Sequence, residues 1–188
     1  MSNAREQILQ TTCDLLEKQG YYGTGLNEIV KESGAPKGSL YYYFPEGKEQ
    51  ITAEAVLQSG QATSARIRDG LTLSNSASKA IHDFILLIAE NVESSGYAAG
   101  SPLTAVAMET ATKSERINLA CREAYEMLES AFREKLLDSG FSKIKAEELA
   151  KFVVASVEGG IILSRVSHTA DPLRLVAKQL KVLLSLKV

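Results

Sequence analysis

Apolar residues return every three to four positions along nearly the whole chain, and nowhere is there a sustained apolar–polar alternation of the kind a half-buried strand requires. Ile8, Leu9, Thr12, Leu15 and Leu16 share one face of a first helix predicted over about 5–19, with Gly20 as its stop. Thr24 or Gly25 can cap a second helix, which carries Glu28 in its first turn and Leu26, Ile29 and Val30 inward, and which Gly34 ends. Pro36 suits the first turn of a short third helix, because the N–H it lacks would be unpaired there in any case. Leu40 and Phe44 form that helix's inward pair, and Pro45-Glu46-Gly47 breaks the chain again. Further helices are expected over about 47–68, 77–94, 103–112, 115–139 and 145–168, with a last one opened by Asp171 as N-cap and Pro172 at the first helical position. The pattern predicts an all-α fold of about nine helices.

The last two helices differ from the others. The eighth carries Phe152, Val153, Val154, Ile161, Ile162, Leu163 and Val166, and the ninth Leu173, Leu175, Val176, Leu180, Leu183 and Leu186, so both are apolar nearly all round. A helix of that kind must be covered on two sides. In a chain this small one side can meet its own core and the other a second copy, which predicts a homodimer built from this helix pair. The interface set is Phe152, Ser156, Gly159, Gly160, Ile162, Leu163, Val166, Val176, Leu180 and Leu183. Two adjacent glycines inside a helix cost roughly 1 kcal/mol each, which is reasonable where a neighbouring helix must come close.

The second and third helices, joined through Ser33-Gly34-Ala35, have the dimensions of a helix-turn-helix, whose second helix lies in the DNA major groove. With Leu40 and Phe44 inward, about 100° per residue turns Gly38 and Tyr42 to the opposite side, Ser39 beside them, and Lys37, Tyr41 and Tyr43 to the flanks. Gly38 lets the backbone approach DNA, Ser39 can bond a base edge or phosphate, and tyrosines can bond phosphates while their rings touch thymine methyls or sugars. Lys48 adds a cation at the start of the fourth helix, where free N–H groups already favour a phosphate. The alternative is that the three tyrosines are half-buried packing aromatics, although consecutive residues on a helix cannot all face one core.

Charge narrows the picture. The formal net charge is −2, and in the first sixty residues Arg5, Lys18, Lys31, Lys37 and Lys48 face Glu6, Asp14, Glu17, Glu28, Glu32, Glu46, Glu49 and Glu54. Any nucleic-acid surface must therefore be a local patch. Cys13 and Cys121 lie inside helical patterns without metal-ligand spacing and read as reduced and buried, as in a cytoplasmic protein. The apolar runs are too short or carry Glu158, so no membrane span is expected, and Met1 to Arg5 lacks a signal-peptide pattern.

The run TGLNEIVKESGAPKGSLYYYFPEGKE, from Thr24 to Glu49, resembles the TetR family of bacterial repressors, most specifically in Lys37-Gly38-Ser39-Leu40-Tyr41 followed by Tyr43-Phe44 and Lys48-Glu49. Gly47 lengthens the Phe44 to Lys48 spacing by one residue over the commonest pattern, an insertion that resembles the LmrA/YxaF-like branch, as do Gly100-Ser101-Pro102-Leu103 and Glu158-Gly159-Gly160-Ile161. The resemblance implies a DNA-binding domain over 1–48 and a ligand-binding and dimerisation domain over 49–188. It implies a palindromic operator, a homodimer, and a small effector, drug-like and largely apolar or aromatic, since relatives in that branch are associated with drug-efflux or flavonoid-related genes. By position it makes Thr24, Lys37, Gly38, Ser39, Tyr41, Tyr42, Tyr43 and Lys48 the DNA-contacting set. It places the effector pocket among the fourth to eighth helices, with Phe84, Ile88, Tyr97, Met108, Glu109, Tyr125, Met127, Phe132, Phe152 and Glu158 as candidates, each apolar one having core packing as its default role.

Two other classes compete. An enzyme is disfavoured, because His82 and His168 lie in no Glu-x-x-His pair and neither a phosphate-binding glycine loop nor a nucleophile elbow occurs. His82 reads as a solvent-facing or hydrogen-bonded helical residue, and His168 as a cation at a helix C-terminus. No catalytic residue, metal or cofactor is expected. A helical interaction module remains, distinguished by whether the chain binds DNA at all.

Overall fold

The computed structural model describes residues 4–185; the expectation for Leu186 lies outside them. The described residues form nine helices and no strand: α1 (Ala4–Gly23), α2 (Leu26–Ser33), α3 (Lys37–Tyr43), α4 (Lys48–Leu71), α5 (Ala77–Ser94), α6 (Pro102–Thr110), α7 (Glu115–Asp138), α8 (Lys143–Ser167) and α9 (Asp171–Ser185). They gather into two compact units. One comprises the described residues up to Ala62 with Ser101–Tyr125, the other Thr63–Gly100 with the described residues from Glu126 onward. Helices α4 and α7 each contribute residues to both.

In the first unit, α1 buries the face Ile8, Leu9, Thr12, Leu15 and Leu16 and packs on α2, α3 and α6. The helix breaks where the glycine was expected to stop it: Gly20 has φ 71, a conformation that costs a residue with a Cβ but not glycine. α2 has Gly25 as N-cap and Gly34, in the left-handed region, as C-cap; Ile29 is buried while Leu26 and Val30 are only half-covered. Pro36 stands one position earlier than expected, as the N-cap of α3.

In the second unit, α5 lays Ala77, Ala80, Ile81, Ile85, Ala89 and Val92 inward and packs on α9, which buries Leu173, Ala177, Leu180 and Leu184. The Ser78 hydroxyl donates to the Lys181 carbonyl at 2.8 Å, and Arg174 pairs with Glu93. α8 runs against α9 at Gly160, where an added Cβ would lie 2.9 Å from Leu173 Cδ2. Gly160 and Leu180 therefore belong to the chain's own core rather than to an outer face, which removes two members of the expected interface set, while Val176 is half-buried beside Gly160. At the adjacent Gly159 the same added atom would meet open space.

Candidate nucleic-acid interface

The orientation of α3 is set from inside. Leu40 and Phe44 are both completely buried, and sequestering side chains of that size stabilises by about 1.5–3 kcal/mol each, which pins a seven-residue helix that could not persist alone. The opposite face follows from the helical turn. Tyr42 is 79% exposed, Tyr41 48%, and Lys37 and Gly38 are exposed, with open space at the position of a Gly38 Cβ. Ser39 and Tyr43 are half-buried. The Tyr42 and Tyr43 rings meet edge to face at 5.0 Å, and Tyr43 continues edge-on to Phe44 at 6.5 Å, so the exposed ring is braced through its neighbour to the core.

Two members of the expected contact set are committed elsewhere. Thr24 is 1% exposed and its hydroxyl donates to the Gly20 carbonyl at 2.8 Å, so its side chain secures the end of α1 and is not presented outward. Lys48 holds its ammonium 4.2 Å from the centroid of the Tyr21 ring, a cation–π contact. Burial pulls this ammonium below the usual lysine range and the negative charge of Glu109 opposes that shift. Tyr21 is in turn pushed up, by burial first and then by Glu49. The sequence reading missed Tyr21 as the seat of Lys48; an aromatic straight after a helix-stopping glycine is a signal too common to have shown it.

The candidate effector residues are distributed over both units. Phe132 is 2% exposed and meets the half-buried Phe84 edge to face at 6.2 Å, and the Phe84 ring lies against Gly70. Met108 is 79% exposed and Phe152 53%, both facing out. Ile88, Met127 and Glu158 are half-buried in the second unit, and Tyr125, also half-buried, bonds Thr104 at 3.3 Å in the first. Glu109 clasps α1 instead: its Oε2 accepts the Tyr22 N–H at 2.9 Å. Tyr97, held at φ 64, stands edge-on to the ring of His168 at 5.5 Å, and lines with Ile162, Arg165 and Val166 an open cleft of about 340 Å³. His168 is the left-handed C-cap of α8, and His82 bonds Asp83 at 2.8 Å.

The remaining interface candidates line one outer stripe of α8. Phe152, Ser156, Gly159, Ile162, Leu163 and Val166 recur at helical spacing, each exposed or half-exposed, with Leu175, Val182 and Leu183 exposed on α9. Both cysteines are buried. Cys13 donates to the Ala55 carbonyl at 3.2 Å, and burial pushes its thiol up to about 12 and that of Cys121 to about 11. Among the described residues no helix is long and apolar enough to cross a membrane, and no three His, Cys, Asp or Glu side chains group as metal ligands would.

Comparison with known proteins bears on this geometry. Residues 8–55 match the family model for bacterial regulatory proteins of the tetR family, and residues 77–179 match that for the LmrA/YxaF-like transcriptional regulator C-terminal domain. The uncharacterized HTH-type transcriptional regulator YxaF of Bacillus subtilis is 40% identical over 98% of this chain and 97% of its own length. The HTH-type transcriptional regulator LmrA of the same organism is 42% identical over 91% of each. Among solved structures, the reduced form of Escherichia coli NemR superposes with a TM-score of 0.82 at 22% identity, covering 95% of this chain and 96% of that one. A cysteine-substituted CifR bound to a 26-base-pair operator duplex gives 0.76 at 22% identity, covering 94% of each; both likenesses concern the fold.

Proposed function

The chain belongs to the TetR family of bacterial regulatory proteins, with an LmrA/YxaF-like C-terminal domain, and on that premise we propose that it is a repressor that binds a palindromic operator as a homodimer and is released by a small apolar or aromatic effector. Members of the family are transcriptional regulators with a DNA-binding domain, not enzymes. In this reading residues 1–48 read DNA, residues 49–188 dimerise and sense the effector, and the protein acts in the cytoplasm, where its operator is.

The observation that carries the reading is the outward face of α3. Exposed Lys37, Gly38, Tyr41 and Tyr42, with half-exposed Ser39 and Tyr43, offer hydroxyls, an approachable backbone and one cation on a helix whose inner side is fully buried. Base-edge and phosphate contact need this combination, and a face meant only for solvent would have no use for a 79% exposed tyrosine. Two-fold symmetry in the protein matches a palindrome in the DNA, with half-sites about 34–36 Å apart. The aliphatic stripe of α8 and α9 supports the homodimer, since a second copy of itself is the partner that covers it in kind.

Induction follows from α4, one uninterrupted helix that starts five residues after α3 ends. An effector that displaces α4 spreads the two DNA-reading helices, and by linkage the operator weakens effector binding by the same factor. The test is a gel shift on promoter DNA beside its own gene, with and without candidate aromatic compounds. Absence of any sequence-preferring complex overturns the reading in favour of an interaction module. Spin labels on α3 of each subunit test the lever, which fails if effector releases DNA while their separation stays unchanged.

A further inference from the structure

Between Gly20 and α2 the chain runs through a notch. Gly20 has a positive φ, and the Glu109 carboxylate of α6 fills the space a side chain there would have taken. One carboxylate oxygen, Oε2, accepts the Tyr22 N–H at 2.9 Å, two residues past the break in α1. Just beyond α6, Lys113 places its ammonium 4.7 Å from the centroid of the Tyr22 ring. At the second residue of α7, Arg116 pairs with Glu46, two residues past the buried Phe44. The corner between α6 and α7 therefore fastens residues 24–44 at both flanks, on one side at Tyr22 and on the other at Glu46. A segment held at one point can pivot, whereas one held at two keeps its pitch.

We infer that Glu109 is a positioning residue for DNA reading: its carboxylate grips the Gly20–Tyr22 notch and, with the Arg116–Glu46 pair, fixes the angle at which α3 is presented. The inference rests on the DNA-reading role proposed above. An ionised acceptor makes a stronger bond to an amide than a neutral one does, and the amide oxygen of glutamine retains the acceptor without the charge. Glycine at position 20 is what admits the carboxylate, so the two residues form one device although 89 positions separate them.

The probes are a duplex enriched from a random-sequence library by the unaltered protein and an unrelated duplex of equal length. Glu109→Ala is expected to lower affinity for the enriched duplex about tenfold while the unrelated one changes less than about twofold, because steered contacts are lost and phosphate attraction is not. Glu109→Gln recovers most of the loss. The Tyr22 amide exchanges with solvent about tenfold faster in Glu109→Ala, the effect of losing its acceptor. An unchanged Tyr22 exchange rate overturns the inference, as does an equal loss on both duplexes with Glu109→Gln no better than Glu109→Ala. Should Glu109→Ala fail to fold, Arg116→Ala cuts the other fastening and is expected to show the same preference for loss on the enriched duplex; equal binding of both duplexes then counts against the device. If the unaltered protein enriches no duplex, it is the DNA-reading role that fails, and Tyr22 exchange decides the grip by itself.

Discussion

Helix α3 and the α8–α9 pair both turn a conspicuous face outward, and the contrast between the faces shows how exposure acquires meaning. On α3 the most exposed large side chain is Tyr42, at 79%; on α8 it is Val166, at 76%. The fractions are nearly equal and the chemistry is opposite. Around Tyr42 stand Lys37, Gly38 and Ser39, groups that stay satisfied in water and exchange that water readily for a phosphate or base edge. Around Val166 stand Ile162, Leu163 and, further along the stripe, Phe152, groups that gain only by leaving water. Extent of exposure alone would have ranked the two surfaces equal; what each face offers separates a polar, charged partner from an apolar one.

The largest effect expected from breaking this contrast is at α8. Ile162→Arg puts a charge into each half of the proposed symmetric apolar contact, and an uncompensated buried charge costs about 3–5 kcal/mol. Sedimentation should show a monomer, and an unchanged dimer would remove the stripe from the interface. Second comes Tyr42→Ala, with an expected loss of about 1–3 kcal/mol in discrimination between operator and unrelated DNA, read as a ratio of dissociation constants. The adjacent glycines give a third test. Gly160→Ala drives a Cβ to 2.9 Å from Leu173 Cδ2 and should lower the denaturant midpoint, while Gly159→Ala meets open space within the subunit and gains about 0.5–1 kcal/mol of helix propensity. A dimer weakened by Gly159→Ala would show that the partner approaches at that point. The smallest difference expected is between two lysines. Lys37→Ala should flatten the salt dependence of DNA binding by about one unit per subunit, and Lys48→Ala by less, because the Lys48 ammonium is already engaged on Tyr21. Equal slopes for the two variants would mean that Lys48 leaves the ring when DNA binds.

Local periodicity carried most of the architecture. Helix α5 spans the residues the pattern predicts, and the inward pair Leu40 and Phe44 is completely buried. Glycine and proline placed the breaks to within a few residues, since their effects act on the backbone beside them. Pairings across long stretches of chain left no such trace. Glu109 reads as a pocket acid because an acid among apolar residues suggests a ligand, and no local pattern shows that it accepts from an amide 87 residues away. Thr24 reads equally well as a cap or a DNA contact, and only the position of the Gly20 carbonyl decides. Gly159 and Gly160 are identical to any sequence rule, and the 100° between them places one against α9 and leaves the other open.

The two buried thiols bear on how this regulator would respond to reactive compounds. Burial holds the thiols of Cys13 and Cys121 well above the ordinary range, so very little of either is thiolate at pH 7, and the thiolate is the form that electrophiles and peroxides attack. Neither thiol of the folded protein should be modified by oxidant or quinone, shown by peptide mapping at Cys13 and Cys121, with alkylation appearing only once denaturant opens the helices. Under the role proposed above, the effector would then act by reversible occupancy, erased by dilution, with no reductant needed to reset it.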